Sequence, residues 1–135
     1  MKSVEVQSEN VEPPQWLPDL ERVATHVYHE LGRREWDVTV LLCDDGRIAE
    51  LNTRYRNVDG PTDVLTFSHD EQGEEIAGDV AVSLPTVEAN ARHYGVAVTE
   101  EFLRVYVHAL LHLAGFTHDG VDLSSEMLEE ARAKG

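Results

Sequence analysis

The run from Phe102 to His118 reads FLRVYVHALLHLAGFTH and contains three histidines, His108, His112 and His118, in the spacing HxxxHxxxxxH. Nearly every other side chain before the glycine is apolar, which predicts a buried helix. On a helix, His108 and His112 lie on one face, about 6 Å apart along the axis. Gly115 has no Cβ and is the predicted end of the helix, after which His118 can return toward the other two imidazoles.

Three neutral imidazoles in this arrangement predict a site for one divalent metal ion. Three protein ligands leave a coordination position open, which is typical of catalytic rather than structural zinc sites. A bound ion lowers the pKa of its water from about 15.7 to about 7, so hydroxide becomes available at neutral pH. We therefore predict a hydrolase that holds Zn2+ through His108, His112 and His118. Other divalent transition metals accept imidazole, and zinc is favoured by its availability and its lack of redox chemistry.

The length and composition favour a single domain spanning residues 1–135, because 135 residues can bury one core but hardly two. The one cysteine, Cys43, lies in an apolar run and has no partner for an internal disulfide, so we expect a buried thiol. The sequence has no run of 18 apolar residues and no basic start followed by an apolar segment. These features predict a cytoplasmic protein without membrane association.

The charge of the chain is strongly negative, with 26 acidic and 11 basic residues and a formal net charge of -15. Such a chain has no general attraction for polyanions, so a site for phosphate must be a local basic patch. Three arginines, Arg47, Arg54 and Arg56, lie within ten residues that contain one acidic residue, Glu50. The planar guanidinium group suits phosphate and carboxylate, so this segment is the predicted basic island.

Hydrophobic periodicity and turn residues predict an α+β fold, with a small, mostly four-stranded sheet packed with about five helices. The predicted strands cover residues 3–6, 38–43, 63–68 and 78–84. The predicted helices cover residues 20–31, 47–57, 85–94 and the histidine run, with a last one beginning near Asp122. Thr99 is the predicted N-cap of the histidine helix.

Three blocks together resemble the YbeY-type endoribonucleases, a family of bacterial rRNA maturation factors. They are LNTRYRNVDGPTDVLTFS at 51–68, GDVAVS at 78–83 and the histidine run, and they occur in this order. The resemblance implies a zinc-dependent endoribonuclease that acts on single-stranded RNA in 16S rRNA 3′-end maturation and in ribosome quality control. It also implies ribosomal proteins and a GTPase as partners, whereas DNA is not an expected substrate.

The resemblance places the family's metal ligands on His108, His112 and His118 and its important arginine on Arg56. An arginine near the metal would hold the scissile phosphate and stabilise the added negative charge of the transition state. The alternative for Arg56 is a surface ion pair with Glu50 or Asp59. The attacking group, a metal-activated water or the ribose 2′-hydroxyl, stays open.

Two positions depart from the family pattern. Thr117 stands where the family usually has an aspartate before the third histidine, and Ala109 where a glycine commonly follows the first.

Two other functions compete with RNA cleavage. A metallopeptidase would need a glutamate at the position of Ala109 as its general base. The other alternative is a non-catalytic, ribosome-associated factor in which zinc only stabilises the fold.

Overall fold

The computed structural model describes residues 2–57, 60, 62–69 and 75–116, which form four strands and four helices. The elements are β1 (Lys2–Ser8), α1 (Leu20–Glu30), β2 (Trp36–Cys43), α2 (Asp45–Arg56), β3 (Val64–Ser68), β4 (Ile76–Ser83), α3 (Leu84–Tyr94) and α4 (Val98–Leu113). The predicted class, an α+β fold with a four-stranded sheet, is confirmed. The predicted helix near Asp122 lies outside the described residues.

The four strands form one mixed sheet in the order β1-β2-β4-β3. β1, β2 and β4 are parallel, whereas β3 is antiparallel to β4 and lies at an edge. Side chains alternate between the two faces of a strand, and β2 follows this rule: Val38, Val40 and Leu42 are buried on one face, and Thr39 and Leu41 lie on the other. The first face carries the main core, and we call the second the open face.

The main core is closed by α1 and α4, which bring aromatic side chains under the sheet. Tyr28 donates its hydroxyl to the carbonyl of Leu110 at 2.8 Å, and Tyr106 donates to the carbonyl of Leu20 at 2.8 Å. Burial raises the pKa of both tyrosines. These two reciprocal bonds fix α4 against α1, because each satisfies a buried hydroxyl that would otherwise be costly.

On the open face, α2 covers only the end of the sheet that lies nearest the C-termini of β2 and β4. Its Ile48 packs with Cys43, Leu65 and Ala81 in a small second core. Burial, the largest cause, and nearby acidic groups raise the pKa of the Cys43 thiol to about 11. The predicted buried thiol is therefore observed, and the rest of the open face is left uncovered by α2.

Two helix boundaries differ from the sequence prediction for identifiable reasons. α4 begins at Val98 after Ala97, and Thr99 is not its N-cap because the Thr99 hydroxyl donates to the carbonyl of Trp16 at 3.0 Å. α2 begins at Asp45, two residues before the predicted Arg47, because Asp44 is its N-cap and accepts from the amide of Arg47 at 2.9 Å.

Within the residues that the structure describes, none of the four helices combines the length and apolar character needed to cross a membrane.

Candidate functional site

The centre of the candidate site is a pair of histidines on α4. Most side chains of this helix are buried, whereas His108 and His112 are half-buried on a single face. Their Nε2 atoms are 3.0 Å apart, and the ring centroids are 4.7 Å apart. Two imidazole nitrogens bound to one tetrahedral zinc at 2.0–2.1 Å would lie about 3.3 Å from one another. The observed pair is thus close to the spacing that one ion requires.

The predicted third histidine follows the end of this helix. Gly115, with φ of 97°, adopts the left-handed conformation expected of the residue that ends α4. Its amide donates to the carbonyl of His112, and the amide of Phe116 donates to Leu111, both at 3.0 Å. The chain therefore turns where the sequence predicted. His118 lies outside the described residues, and within those residues no group of three or more metal-ligating side chains occurs.

Arg56 lies in the last turn of α2 and reaches the edge strand β3. Its Nη2 donates to the carbonyl of Thr66 at 2.5 Å, and its guanidinium carbon is 5.7 Å from the centroid of the Phe67 ring. Along an antiparallel strand, every second residue directs its backbone groups toward the neighbouring strand. Asp63 and His69 bond to β4 in this way, so the odd-numbered residues between them face β4 and the carbonyl of Thr66 faces the free edge. Arg56 is therefore placed where the open face meets that edge.

The histidine helix runs beside the same strand and in the same direction. Near the middle of the helix Arg104 lies 3.9 Å from Asp63, just before β3, and at its end Leu113 packs over Gly78, which pairs with Ser68 at the other end of β3. From Arg104, the histidines lie about 6 and 12 Å farther along the helix. Thr66 lies about 10 Å beyond Asp63 along the strand. The carbonyl that binds Arg56 is thus level with the histidine pair.

The close approach of α4 to the sheet depends on Gly78. A Cβ at this position would lie 2.6 Å from Leu113 Cδ2 and 2.6 Å from the carbonyl oxygen of Phe67. A change of rotamer at Leu113 could relieve the first contact, but the second is with backbone and requires a shift of the strand. Gly78 therefore sets the distance between the end of the histidine helix and β3, a role that its place in the sequence block GDVAVS did not reveal.

Sequence reasoning also missed a polar clamp that aligns α4 with β3. Glu101 is buried, and Arg104 donates to both its carboxylate oxygens, at 3.1 and 2.7 Å. The hydrogen bond to Glu101 is the first cause of the raised pKa of Arg104, and Asp63 raises it further. The spacing of these residues, three apart on a predicted helix, was the available signal.

The three arginines of the predicted basic island have separate surroundings. Arg47 forms ion pairs with Glu9 at 2.8 Å and with Glu50 at 3.9 Å. Arg54 stacks on Tyr55, with its guanidinium carbon 5.4 Å from the ring centroid. Of the three, Arg56 is the one whose described contacts reach β3. Glu50, one candidate ion-pair partner for Arg56, is the partner of Arg47, and Asp59 lies outside the described residues.

The loop that follows α2 is tied back to the helix by a buried amide. Asn52 is 6% exposed, and its Nδ2 donates to the carbonyl of Gly60 at 3.0 Å. An amide side chain on the helix can satisfy a loop carbonyl that would otherwise lack a partner after the helix ends. Asn52 therefore ties Gly60 to α2.

Comparison with known proteins gives consistent similarities over nearly the whole chain. A sequence model of the family described as Endoribonuclease YbeY matches residues 3–134. A protein of that name from Treponema denticola is 39% identical over 129 residues, which are 89% of this chain and 83% of the relative. One from Bacteroides thetaiotaomicron is 34% identical over 123 residues, which are 87% of this chain and 88% of the relative.

A similarity in three dimensions extends over the same length. The solution structure of TM1509 from Thermotoga maritima is 29% identical in sequence and has a TM-score of 0.72. The match covers 98% of this chain and 91% of that one. The chain therefore shares its overall fold with a structure determined in solution.

Proposed function

The chain belongs to the endoribonuclease YbeY family, and on that premise we propose that it is a zinc-dependent endoribonuclease that cleaves single-stranded RNA. We extend the proposal to 16S rRNA 3′-end maturation and ribosome quality control, with ribosomal proteins and a GTPase as partners. The observation that carries it is the pair of imidazole Nε2 atoms 3.0 Å apart, and the bond from Arg56 to the Thr66 carbonyl, on the strand beside this helix, supports it.

The residues present suit zinc as the resident ion. Neutral imidazoles are good zinc ligands, and the nitrogens of His108 and His112 converge from a helix whose other side chains are mostly buried in the main core. His118 would complete the ligand set after the turn at Gly115. When bound, zinc supplies a Lewis acid for a phosphoryl oxygen and lowers the pKa of water.

Arg56 would bind the phosphodiester that is to be cleaved. A guanidinium has five N–H donors in a planar fork, so donation to the Thr66 carbonyl leaves others for a phosphate. The Thr66 bond and the Phe67 ring hold the group in one orientation, which reduces the entropy lost on binding. Donors fixed in advance stabilise the negative charge that accumulates on the phosphoryl oxygens in the transition state.

The attacking group is water or the ribose 2′-hydroxyl next to the scissile phosphate. The two routes leave different ends, because only attack by the 2′-hydroxyl produces a 2′,3′-cyclic phosphate. Mass spectrometry of the 5′ fragment from a short labelled RNA distinguishes them.

The proposal is tested with the full-length, zinc-loaded protein on labelled single-stranded and duplex RNA. Arg56→Ala should lower the cleavage rate about a hundredfold or more, as loss of a transition-state donor does elsewhere, and His112→Ala should lower it at least as far because it removes a zinc ligand. Arg54→Ala is the matched control, because it removes an arginine of the same helix whose described contact is with Tyr55. Elemental analysis should show lost zinc in His112→Ala and retained zinc in Arg56→Ala. Equal activity in all variants would point to a contaminating nuclease and refute the proposal.

Two alternatives make different predictions in the same experiment. If zinc only stabilises a ribosome-associated factor, the loaded protein leaves RNA intact, whereas His112→Ala lowers the melting temperature. A metallopeptidase would cleave a peptide library instead. That function is disfavoured because position 109 holds a buried alanine, which cannot act as the general base.

A further inference from the structure

The open face of the sheet contains a groove of about 650 Å³ that α2 leaves uncovered. Its floor is apolar, formed by Leu41 and Ala81 with Leu51 beside them. Tyr55 and Phe67 form an aromatic wall, with ring centroids 5.5 Å apart in an edge-to-face arrangement. A concave site of this size, mostly apolar with few polar groups, has the character of a small-ligand pocket.

Three polar side chains line the groove, Gln7, Thr39 and Asp79, and Asp79 is the acidic one. Asp79 lines it, and its Oδ2 lies 3.1 Å from Nε2 of His69. That contact orients the carboxylate and leaves Oδ1 and further lone pairs for a ligand. An ionised carboxylate only accepts hydrogen bonds, so the groove suits a ligand that presents N–H donors. Arg56, stacked on Phe67, places a cationic group at the rim.

From these observations we propose that the groove is a nucleobase subsite, which stacks one unpaired base of the RNA on one ring of the Tyr55–Phe67 wall, with the other ring edge-on to it, and reads its N–H edge with Asp79. This rests on the proposed function. Guanine fits best, because its Watson–Crick edge presents two adjacent donors, N1–H and the N2 amino group, to one carboxylate. In a nucleotide the base is covalently joined to its phosphate, which matches the adjacency of Phe67 and Arg56.

A basic protein side chain is the competing occupant of a groove that contains a carboxylate. It fits less well because Arg54 and Arg56 stack on the two wall aromatics and would repel a second cation. A neutral base brings no such repulsion, and every base has a face that stacks on aromatic rings. The RNA chain would then pass from the groove over the β3 edge, toward the side on which the histidines lie.

The test is a methyl NMR titration of the zinc-loaded protein with guanosine, inosine and adenosine 5′-monophosphates and with ribose 5-phosphate. Guanosine monophosphate should shift the methyl signals of Leu41, Leu51 and Ala81. Inosine monophosphate, which lacks the N2 amino group, should bind about fivefold or more weakly, as should adenosine monophosphate. These ligand comparisons use the unaltered protein and do not depend on any variant folding.

Matched variants separate the groove from general surface effects. Asp79→Asn and Tyr55→Leu should each weaken the binding of guanosine monophosphate at least about fivefold. Asp37→Asn, an exposed carboxylate on the same sheet face, and Tyr94→Leu, an equally exposed tyrosine on α3, should not.

The proposal would be overturned if ribose 5-phosphate bound as tightly as guanosine monophosphate. It would also be overturned if an arginine-rich peptide saturated the methyl shifts of the groove while no nucleotide shifted them. His112→Ala should bind guanosine monophosphate normally even though it cleaves no RNA. Failure of the nucleobase subsite and failure of the proposed activity can therefore be told apart.

Discussion

Replacing Gly78 with alanine is expected to destabilise the fold. It should also lower the zinc affinity of the histidine pair by more than the loss of stability explains. The added Cβ would meet Leu113 Cδ2 and the Phe67 carbonyl oxygen, each at 2.6 Å. Ordinary carbon contacts lie near 3.5–4.0 Å, so α4 must move away from β4 by about 1 Å or Leu113 must change rotamer while the strand yields. The second contact is with backbone, which has no rotamer to change.

Overpacking of this kind costs about 1–3 kcal/mol. For a domain of this size, each kcal/mol lowers the melting temperature by roughly 4 °C, so Gly78→Ala should lower it by roughly 4–12 °C. The displaced end of the helix carries His112, so zinc affinity should fall as well. Thermal unfolding with and without zinc, together with a zinc titration, measures both effects.

Two further variants decide how the effect arises. Val23→Ala removes buried methyl groups from α1, far along the chain from the histidines, and should lower stability without changing zinc affinity in the folded protein. Leu113→Ala combined with Gly78→Ala relieves the side-chain contact and should restore part of the zinc affinity, but not all of it, because the Phe67 carbonyl remains. Unchanged stability and zinc affinity in Gly78→Ala would refute the close approach of α4 to β4.

The other predictions concern groups elsewhere in the fold. The Cys43 thiol, whose pKa burial raises to about 11 from an ordinary value near 9, should resist a thiol reagent at pH 8 and react on unfolding. Because its folded pKa is raised, its stabilising contribution is present below pH 9 and is lost between pH 9 and 11, which denaturant titrations across that range will show. Tyr28→Phe removes the bond to the Leu110 carbonyl and should cost about 1–3 kcal/mol in denaturant unfolding, because that acceptor stays buried. Arg104→Met should destabilise near pH 7 by more than Arg104→Met combined with Glu101→Gln, because the single variant leaves a buried carboxylate without its partner; equal losses would contradict the clamp.

The elements themselves could be predicted from local sequence. The apolar period of α4 and its end at Gly115, and the strands at β2 and β4, depend on side chains within a few residues of one another. Even the weakly alternating start of the chain is a strand, β1, and it extends further than the predicted residues 3–6. Asn57, with φ of 56°, ends α2 for an equally local reason, and the predicted helix over residues 47–57 stops at the same place.

Only part of the candidate site could be predicted from local sequence. The spacing of His108 and His112 is a property of one helix, so the sequence alone brought the two imidazoles together. His118 as third ligand and zinc as the ion stay predictions. Arg56 was named from a resemblance, and its place at the β3 edge required the fold.

Tertiary structure decided how these segments meet. The strand order β1-β2-β4-β3, the bond from Arg56 to the Thr66 carbonyl, the salt bridge between Arg104 and Asp63 and the groove beside Asp79 all join residues from different elements. Side-chain period shows which face of a strand is buried, but not which strand lies beside it or in which register. Strand order and register follow from packing the whole core at once. Gly78 takes part in that packing because the absence of a Cβ lets α4 approach the sheet.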